Sequence, residues 1–504
     1  MQSILDDRIP RQVIPRWRPP SRLSGAELQS HKRKLSASSE EFSDYERALR
    51  RWQNQKSLIN AAELFFATVD TPFLQKSIGA INQLLSSKNV ALVEIAASIA
   101  SLGRASDPEK EVDLRAECHR QIGYLKRRVR EYPLDVISLV ELSRLYTSIG
   151  QRNQAFRAMD IAVKLDSQNR FVLRSASRLF VHFREPDRAR KLFERLSTRD
   201  PWLLATQIAL ADVNGWEQRT GKLAREILHS KSLSPEHLTE LAAAMSTVEL
   251  KAGSRKLGRK FAQLVPLAPN ENSVAQLRWL AERFNLPFSP MLLNTRWSFE
   301  ARANFDRAIG NWLSCVQNAD RWFWDEPFSV RPLHVATFVE AEVRGDLDSA
   351  QKFAELALIA NESDATALNN LVFVLALRGR LEDAERIQGR VRHSDGRAAE
   401  RAVNMATQGM LSFRRGRWEA GVNFYNEAIS ELSRLKFRGA ALNARMHLAI
   451  ETYRSGAITS EEYRAKRAGI EFDVKASNDQ LMAAICDRIM DEEDLMFAHA
   501  NAEM

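Results

Sequence analysis

Apolar side chains recur at helical spacing along most of the chain. From Phe42 to the C-terminus they follow the period of an α-helix, and no sustained strand-type alternation interrupts them. Around Gly150, for example, Leu142 and Tyr146 come before the glycine and Ala155 comes after it. This pattern predicts two helices with apolar faces, joined by a turn in which the glycine takes a positive φ.

The helical pattern also repeats along the chain. Gly345 and Gly379 lie 34 residues apart, and so do Ala350 and Ala384. A repeat of this length is typical of a helix pair, which cannot bury its apolar face alone and must stack on its neighbours. The sequence therefore predicts an all-α fold, a superhelical solenoid of antiparallel helix pairs, with the first helix of each pair on the concave face.

These units resemble the tetratricopeptide repeat family, which has large apolar or aromatic residues, a turn glycine and small residues at fixed positions. The units from Val136 and from Arg170 carry these residues at Leu139, Leu142, Ser143, Tyr146, Gly150, Ala155 and Ala162, and at Ser177, Phe180, Ala189, Phe193 and Pro201. The repeats are degenerate, because Arg184 replaces a turn glycine and Gln388 replaces a packing aromatic. The resemblance implies a TPR-like solenoid that binds other macromolecules.

Changes in composition divide the chain further. We predict a disordered basic arm (1–40), an N-terminal helical region (41–135), the first half of the solenoid (136–293), an aromatic-rich junction (294–330), the second half of the solenoid (331–470), and a C-terminal helix with an acidic end (471–504). Proline and Ser/Lys/Arg residues in the arm disfavour regular structure. The tryptophans of the junction are expected either to form a core or to be an exposed anchor for a partner.

Charge and cysteine content limit the class of protein. The net charge is +9, three cysteines lie far apart without metal-ligand spacing, and the longest purely apolar run is 371–377. A membrane span needs about 20 apolar residues. We therefore expect a cytoplasmic protein without a membrane segment, disulfide framework, metal or other cofactor.

Motifs for catalysis are absent from the sequence. No phosphate-binding glycine loop, HExxH or GxSxG occurs, and the nine histidines show no ligand spacing. The fragment EFDVK at 471–475 imitates part of a metal-dependent nuclease signature but lacks a second carboxylate on a strand. The prediction is that the protein is not an enzyme.

Two sections of the predicted concave face are candidates for partner binding. The basic section is formed by Arg144, Arg174, Arg178 and His182, and the apolar section by Asn369, Phe373, Leu377, Met410 and Phe413. Guanidinium groups suit carboxylates or phosphates, so the basic section suggests an acidic peptide or RNA; its alternative is a solvated helix face. The apolar section is expected to accept a partner helix or to pack against the protein's own N-terminal helices.

Two functions follow from these candidates. The first is a scaffold or adaptor that binds protein partners through the concave face. The alternative is a nucleic-acid-associated regulator that uses the basic arm and the arginine-lined groove. The arm's cations and its aromatic residue are Arg8, Arg11, Arg16, Trp17, Arg18, Arg22, Lys32, Arg33 and Lys34.

Overall fold

In a computed structural model of the protein, the residues described are 16–17, 19, 44–55, 64, 113–194, 198–217, 219–230, 233–391 and 398–489. These residues form helices and turns, and none of them lies in a strand. Helices follow one another in pairs joined by turns of a few residues, so the two helices of a pair run antiparallel. The predicted fold class, an all-α solenoid of antiparallel helix pairs, is confirmed.

The described residues belong to two compact units. The N-terminal unit comprises those of Pro15–Tyr146 and Arg152–Thr206, and the C-terminal unit comprises Thr147–Gln151 and those from Gln207 onward. The helices that begin in the N-terminal unit are α1 Asp44–Asn54, α2 Leu114–Glu131, α3 Val136–Ser148, α4 Arg152–Leu165, α5 Arg170–His182, α6 Pro186–Lys191 and α7 Pro201–Asn214. Helix α7 continues past Thr206 into the C-terminal unit.

The C-terminal unit continues the series of pairs. Its helices are α8 Gly221–His229, α9 Pro235–Lys251, α10 Arg255–Ala262, α11 Glu271–Phe284, α12 Phe299–Ala308, α13 Trp312–Asp325, α14 Arg331–Phe338, α15 Leu347–Ala360, α16 Ala365–Leu377, α17 Leu381–Gln388, α18 Ala398–Arg414, α19 Trp418–Arg434, α20 Arg438–Arg454 and α21 Ser460–Ser477. A π-helical segment, Val339–Arg344, extends α14, and residues 480–489 form a last helical stretch. Short 3₁₀ turns occur at Val265–Leu267 and Pro290–Asn294.

The turns keep one backbone conformation even where the residue changes. Gly345 and Gly379 have φ of 69° and 72°, in the left-handed region that glycine adopts without a steric penalty. Arg184 takes the same conformation, with φ of 55°, at the position where the repeat departs from glycine. A left-handed residue with a Cβ costs about 1–2 kcal/mol, so packing of the flanking helices α5 and α6 must offset that cost.

Small residues allow the two helices of a pair to approach closely. Ala155 on α4 and Ala384 on α17 are fully buried. The hydroxyl of Ser143 on α3 donates a hydrogen bond to the carbonyl oxygen of Ala155 at 2.8 Å, which shows how near the two backbones come. The small residues that the repeat pattern singled out therefore lie at helix contacts.

Replacing Ala384 by tryptophan should destabilise the C-terminal unit by about 1–3 kcal/mol, because a fully packed contact has no room for an indole. Urea denaturation followed by circular dichroism measures the loss. Ala420→Trp is the matched control, since Ala420 is exposed on α19 and its replacement should change stability by less than about 0.5 kcal/mol. Equal stability of the two variants would contradict the repeat register.

The predicted aromatic-rich junction contains a further helix pair, α12 and α13, whose turn has Gly310 at φ 75°. Trp322, Phe323 and Phe328 are buried there, whereas Trp324 is partly exposed. Most of this aromatic cluster is therefore core. The predicted domain bounds themselves stay a prediction.

Only a few residues of the predicted basic arm fall within the described ranges. Arg16 is buried and Trp17 has an exposed fraction of 0%. These two side chains are therefore covered by other parts of the protein. The other cations of the arm, and the acidic end from residue 490 onward, lie outside the described residues.

Candidate interaction surface

The four residues of the predicted basic section lie on α3 and α5 of the N-terminal unit. The exposed fraction of Arg144 and that of Arg174 are each 6%. Two guanidinium nitrogens of Arg144 donate hydrogen bonds to the carboxylate of Glu141, at 2.6 and 2.8 Å. The guanidinium carbon of Arg174 lies 4.7 Å from the centroid of the Trp202 ring, within the range of a cation–π contact.

Arg178 and His182 are only half-buried, and they continue along α5 from Arg174. The imidazole ring of His182 meets the Phe183 ring edge-on, with the ring centroids 4.6 Å apart. Because Arg144 and Arg174 are buried and engaged within the unit, the four residues do not form an open row of cations. All four residues lie on helices, and Arg144 and Arg174 are covered by the surrounding chain.

The predicted apolar section lies on α16 and α18 and belongs to the core of the C-terminal unit. Phe373, Met410 and Phe413 are buried in one hydrophobic cluster, and Leu377 packs against it. Asn369 is also buried and accepts a hydrogen bond from the side-chain amide of Asn404 at 3.0 Å. The Phe373 ring meets the His447 ring edge-on at 5.5 Å. These residues pack neighbouring repeats together and do not line an open groove.

An accessible recess lies beside this core, between α17, α18 and α19. Its volume is about 360 Å³. Two of its lining side chains are apolar, Leu411, buried on α18, and Phe424, half-buried on α19, and we call these two its apolar floor. Gln388 on α17 and Gln408 on α18 contribute amides, and Ser412 contributes a hydroxyl. We call these residues the α17–α19 recess.

Hydrogen bonds hold the amides of the recess in place. Gln388 and Gln408 each donate from their side-chain amide to the oxygen of Asn404, at 3.2 and 2.6 Å. Asn404 in turn donates to the predicted site residue Asn369. The amide network therefore runs from the buried interior to the recess, and it fixes the rotamers of the two glutamines that a ligand would meet.

The rim of the recess carries balanced charge. The Glu385 carboxylate accepts hydrogen bonds from Arg415 at 2.8 Å and from Arg417 at 3.2 Å. Arg415 also donates to Glu382 at 2.9 Å. Slight burial lowers the pKa of Arg415, but the two glutamates outweigh that effect and the pKa is raised. A neutral or apolar group is thus the best match for the recess.

A buried polar cluster elsewhere in the C-terminal unit was not predicted from the sequence. Glu342, in the π-helical segment, faces the imidazole Nε2 of His447 at 3.1 Å and the side-chain amide of Asn443 at 3.4 Å. Arg488 donates to the Glu342 backbone oxygen at 2.6 Å and lies 3.6 Å from its carboxylate. Burial raises the pKa of Glu342, but His447 and Arg488 outweigh it, and the pKa falls to about 2. The one feature of the sequence that pointed to this cluster was that Glu342 is an acidic residue within a largely apolar stretch.

Within the described ranges, no three or more His, Cys, Asp or Glu side chains are grouped to hold a metal ion. No described helix combines the length and apolarity that crossing a bilayer requires.

Comparison with known proteins does not assign the chain to a family. No family model matches the chain, and no curated protein matches it. Solved structures similar to it include the human IFIT1 dimer with PPP-AAAA, at 16% identity and a TM-score of 0.38 over 74% of this chain and 94% of that one. Yeast Tom70 is similar at 10% identity and a TM-score of 0.34, over 92% of this chain and 98% of the other. Membership of the tetratricopeptide repeat family stays a prediction.

Proposed function

We propose that the protein is a non-enzymatic scaffold that binds a segment of another protein, and that the α17–α19 recess receives one apolar side chain of that segment. The observation that carries the proposal is the combination of an apolar floor, Leu411 and Phe424, with amides fixed at the walls. Binding pockets combine apolar surface with placed polar groups, and volumes of about 300–1,000 Å³ are usual for them. The recess has a volume in this range and a more polar lining than most such pockets.

The amides supply the polar part of recognition. A side-chain amide carries both a donor and an acceptor, as a peptide backbone does. In the proposed complex, Gln388 and Gln408 bond the backbone that flanks the inserted side chain. Their network to Asn404 holds both amides before the ligand arrives, which lowers the entropic cost of binding.

The charges at the recess favour binding over catalysis. Glu385 is the carboxylate that lines it, and Arg415 and Arg417 already engage that carboxylate. General acid–base catalysis needs a group free to exchange a proton with the substrate. An engaged carboxylate on an exposed rim suits orientation of a partner instead.

Peptide display on the full-length protein, followed by affinity measurement, tests this function. Gln408→Trp places an indole in the recess, and Phe424→Ala removes part of its floor. Peptides selected on the unmodified protein should share an apolar residue and bind each variant at least about tenfold more weakly, a loss of about 1.4 kcal/mol. Asn423→Trp is the matched control, since Asn423 is exposed on α19 outside the recess.

The control variant should bind the selected peptides unchanged, and thermal melting should show all three variants folded. Selected peptides that bind Gln408→Trp and Phe424→Ala as tightly as the unmodified protein would overturn the proposal. So would a selection that enriches no peptide.

A further inference from the structure

The exposed face of α10 carries four cations in a helix of eight residues. Arg255, Lys256, Arg259 and Lys260 are all exposed, and the helix sequence RKLGRKFA contains no acid. Across the described part of the chain, none of these four side chains finds an acidic partner. We call this set the α10 basic face.

Close packing on α9 decides which side of α10 faces solvent. A Cβ at Gly258 would lie 2.6 Å from the Leu250 side chain, so α10 approaches α9 too closely for any other residue there. The Ser246 hydroxyl donates to the Gly258 carbonyl oxygen at 2.9 Å, and Phe261 is buried. With these positions turned inward, the four cations are fixed on the outward side.

The arrangement is electrostatically unfavourable in the isolated protein. Arg255 and Arg259 are four residues apart, as are Lys256 and Lys260, so like charges lie one helical turn, about 5.4 Å, from each other. Arg255 and Lys256 in the first turn also oppose the helix dipole, at a cost of about 0.3–1 kcal/mol each, whereas Arg259 and Lys260 in the last turn are favoured by it. Some surface arginines elsewhere do have an acid beside them; Arg434, for example, donates to Glu431 at 2.6 Å. A bound polyanion would relieve both costs on α10.

We propose that the α10 basic face binds the phosphate backbone of single-stranded nucleic acid without reading its bases. A protein partner would be expected to add an apolar contact, yet Leu257, half-buried, is the one apolar side chain between these cations. A duplex also offers phosphates to a helix face, but its phosphates keep a fixed spacing. A flexible strand can bring successive phosphates to cations that are one turn apart.

The test compares two variants of equal net charge. In one, Arg255, Lys256, Arg259 and Lys260 are all replaced by glutamine. In the other, four exposed cations elsewhere that likewise have no ion partner in the described ranges are replaced by glutamine: Arg127, Arg130, Arg438 and Arg464. Each set lowers the net charge from +9 to +5, since 9 − 4 = 5. Fluorescence anisotropy with a labelled single-stranded uridine oligonucleotide, over a salt series, gives the affinity.

The α10 variant should bind at least about tenfold more weakly at low salt, and the control variant within about twofold of the unmodified protein. The logarithm of the association constant falls linearly with the logarithm of the salt concentration, and four phosphate contacts on a single strand contribute about 3 to the steepness of that fall. The dependence should therefore become less steep by about 3 in the α10 variant alone. An equal loss of affinity in both variants would show that the net charge alone attracts the strand, and it would overturn the proposal. Stronger binding of a duplex of the same length, or of a polyglutamate peptide of the same charge, would also overturn the proposal.

Discussion

Asp200→Ala should lower the free energy of unfolding of the N-terminal unit by about 3–5 kcal/mol, because it breaks a buried ion pair. Asp200 and Arg170 have exposed side-chain fractions of 2% and 3%, and the guanidinium donates to the carboxylate at 2.6 and 2.7 Å. The same carboxylate accepts the backbone N–H groups of Trp202 and Leu203, at the start of α7. Loss of that cap adds about 1 kcal/mol.

Chemical denaturation of two further variants separates these contributions. Asp200→Asn keeps an oxygen for the cap but loses the charge, so its loss of stability should be smaller than that of the alanine variant. Asp160→Ala removes a carboxylate that pairs with Arg188 on the surface of the same unit. An exposed pair contributes about 0–1 kcal/mol, so this control should be nearly neutral. Equal losses in Asp200→Ala and Asp160→Ala would contradict the role of burial.

Glu342→Gln should lower the free energy of unfolding of the C-terminal unit by a similar amount, about 3–5 kcal/mol. The substitution keeps the shape of the side chain but removes the carboxylate that His447 and Arg488 face. Arg488 lies in the last helical stretch, so that helix should also become more open to amide hydrogen exchange. Glu427→Gln is the control, because Glu427 is exposed on α19, and its effect should stay within about 0.5 kcal/mol.

The pH dependence identifies the carboxylate as the cause. The pKa of Glu342 is about 2 in the folded protein, against an ordinary value of 4.5. Because its pKa is depressed, the Glu342 carboxylate stabilises the fold fully above pH 4.5, and this stabilisation is lost as the pH falls from 4.5 towards 2. The difference in unfolding free energy between the unmodified protein and Glu342→Gln should therefore shrink as the pH falls below 4.5. A difference that does not change with pH would assign the loss to packing alone.

The repeat pattern located helices and turns well, but it did not identify which surfaces are open. Met410 and Phe413 were chosen as groove residues on α18, and both are buried. The residues of the same helix that line the recess are neighbours of these two, namely Gln408, Leu411 and Ser412. A helix position determines a direction around the helix axis, and a shift of one residue turns that direction by about 100°. Small errors in register therefore exchange core for surface.

The helices and turns of this protein could be predicted from its sequence, because they depend on residues close together in the chain. Helical spacing of apolar residues, turn glycines such as Gly379 and small residues such as Ala384 all act within one repeat. Tertiary structure decided the environment of each charge. Glu342 meets His447, 105 residues later, and Arg144 is buried although its helix position alone allows a solvated side chain. Periodicity shows which face of a helix is apolar, but burial and charge pairing depend on which distant helices cover that face.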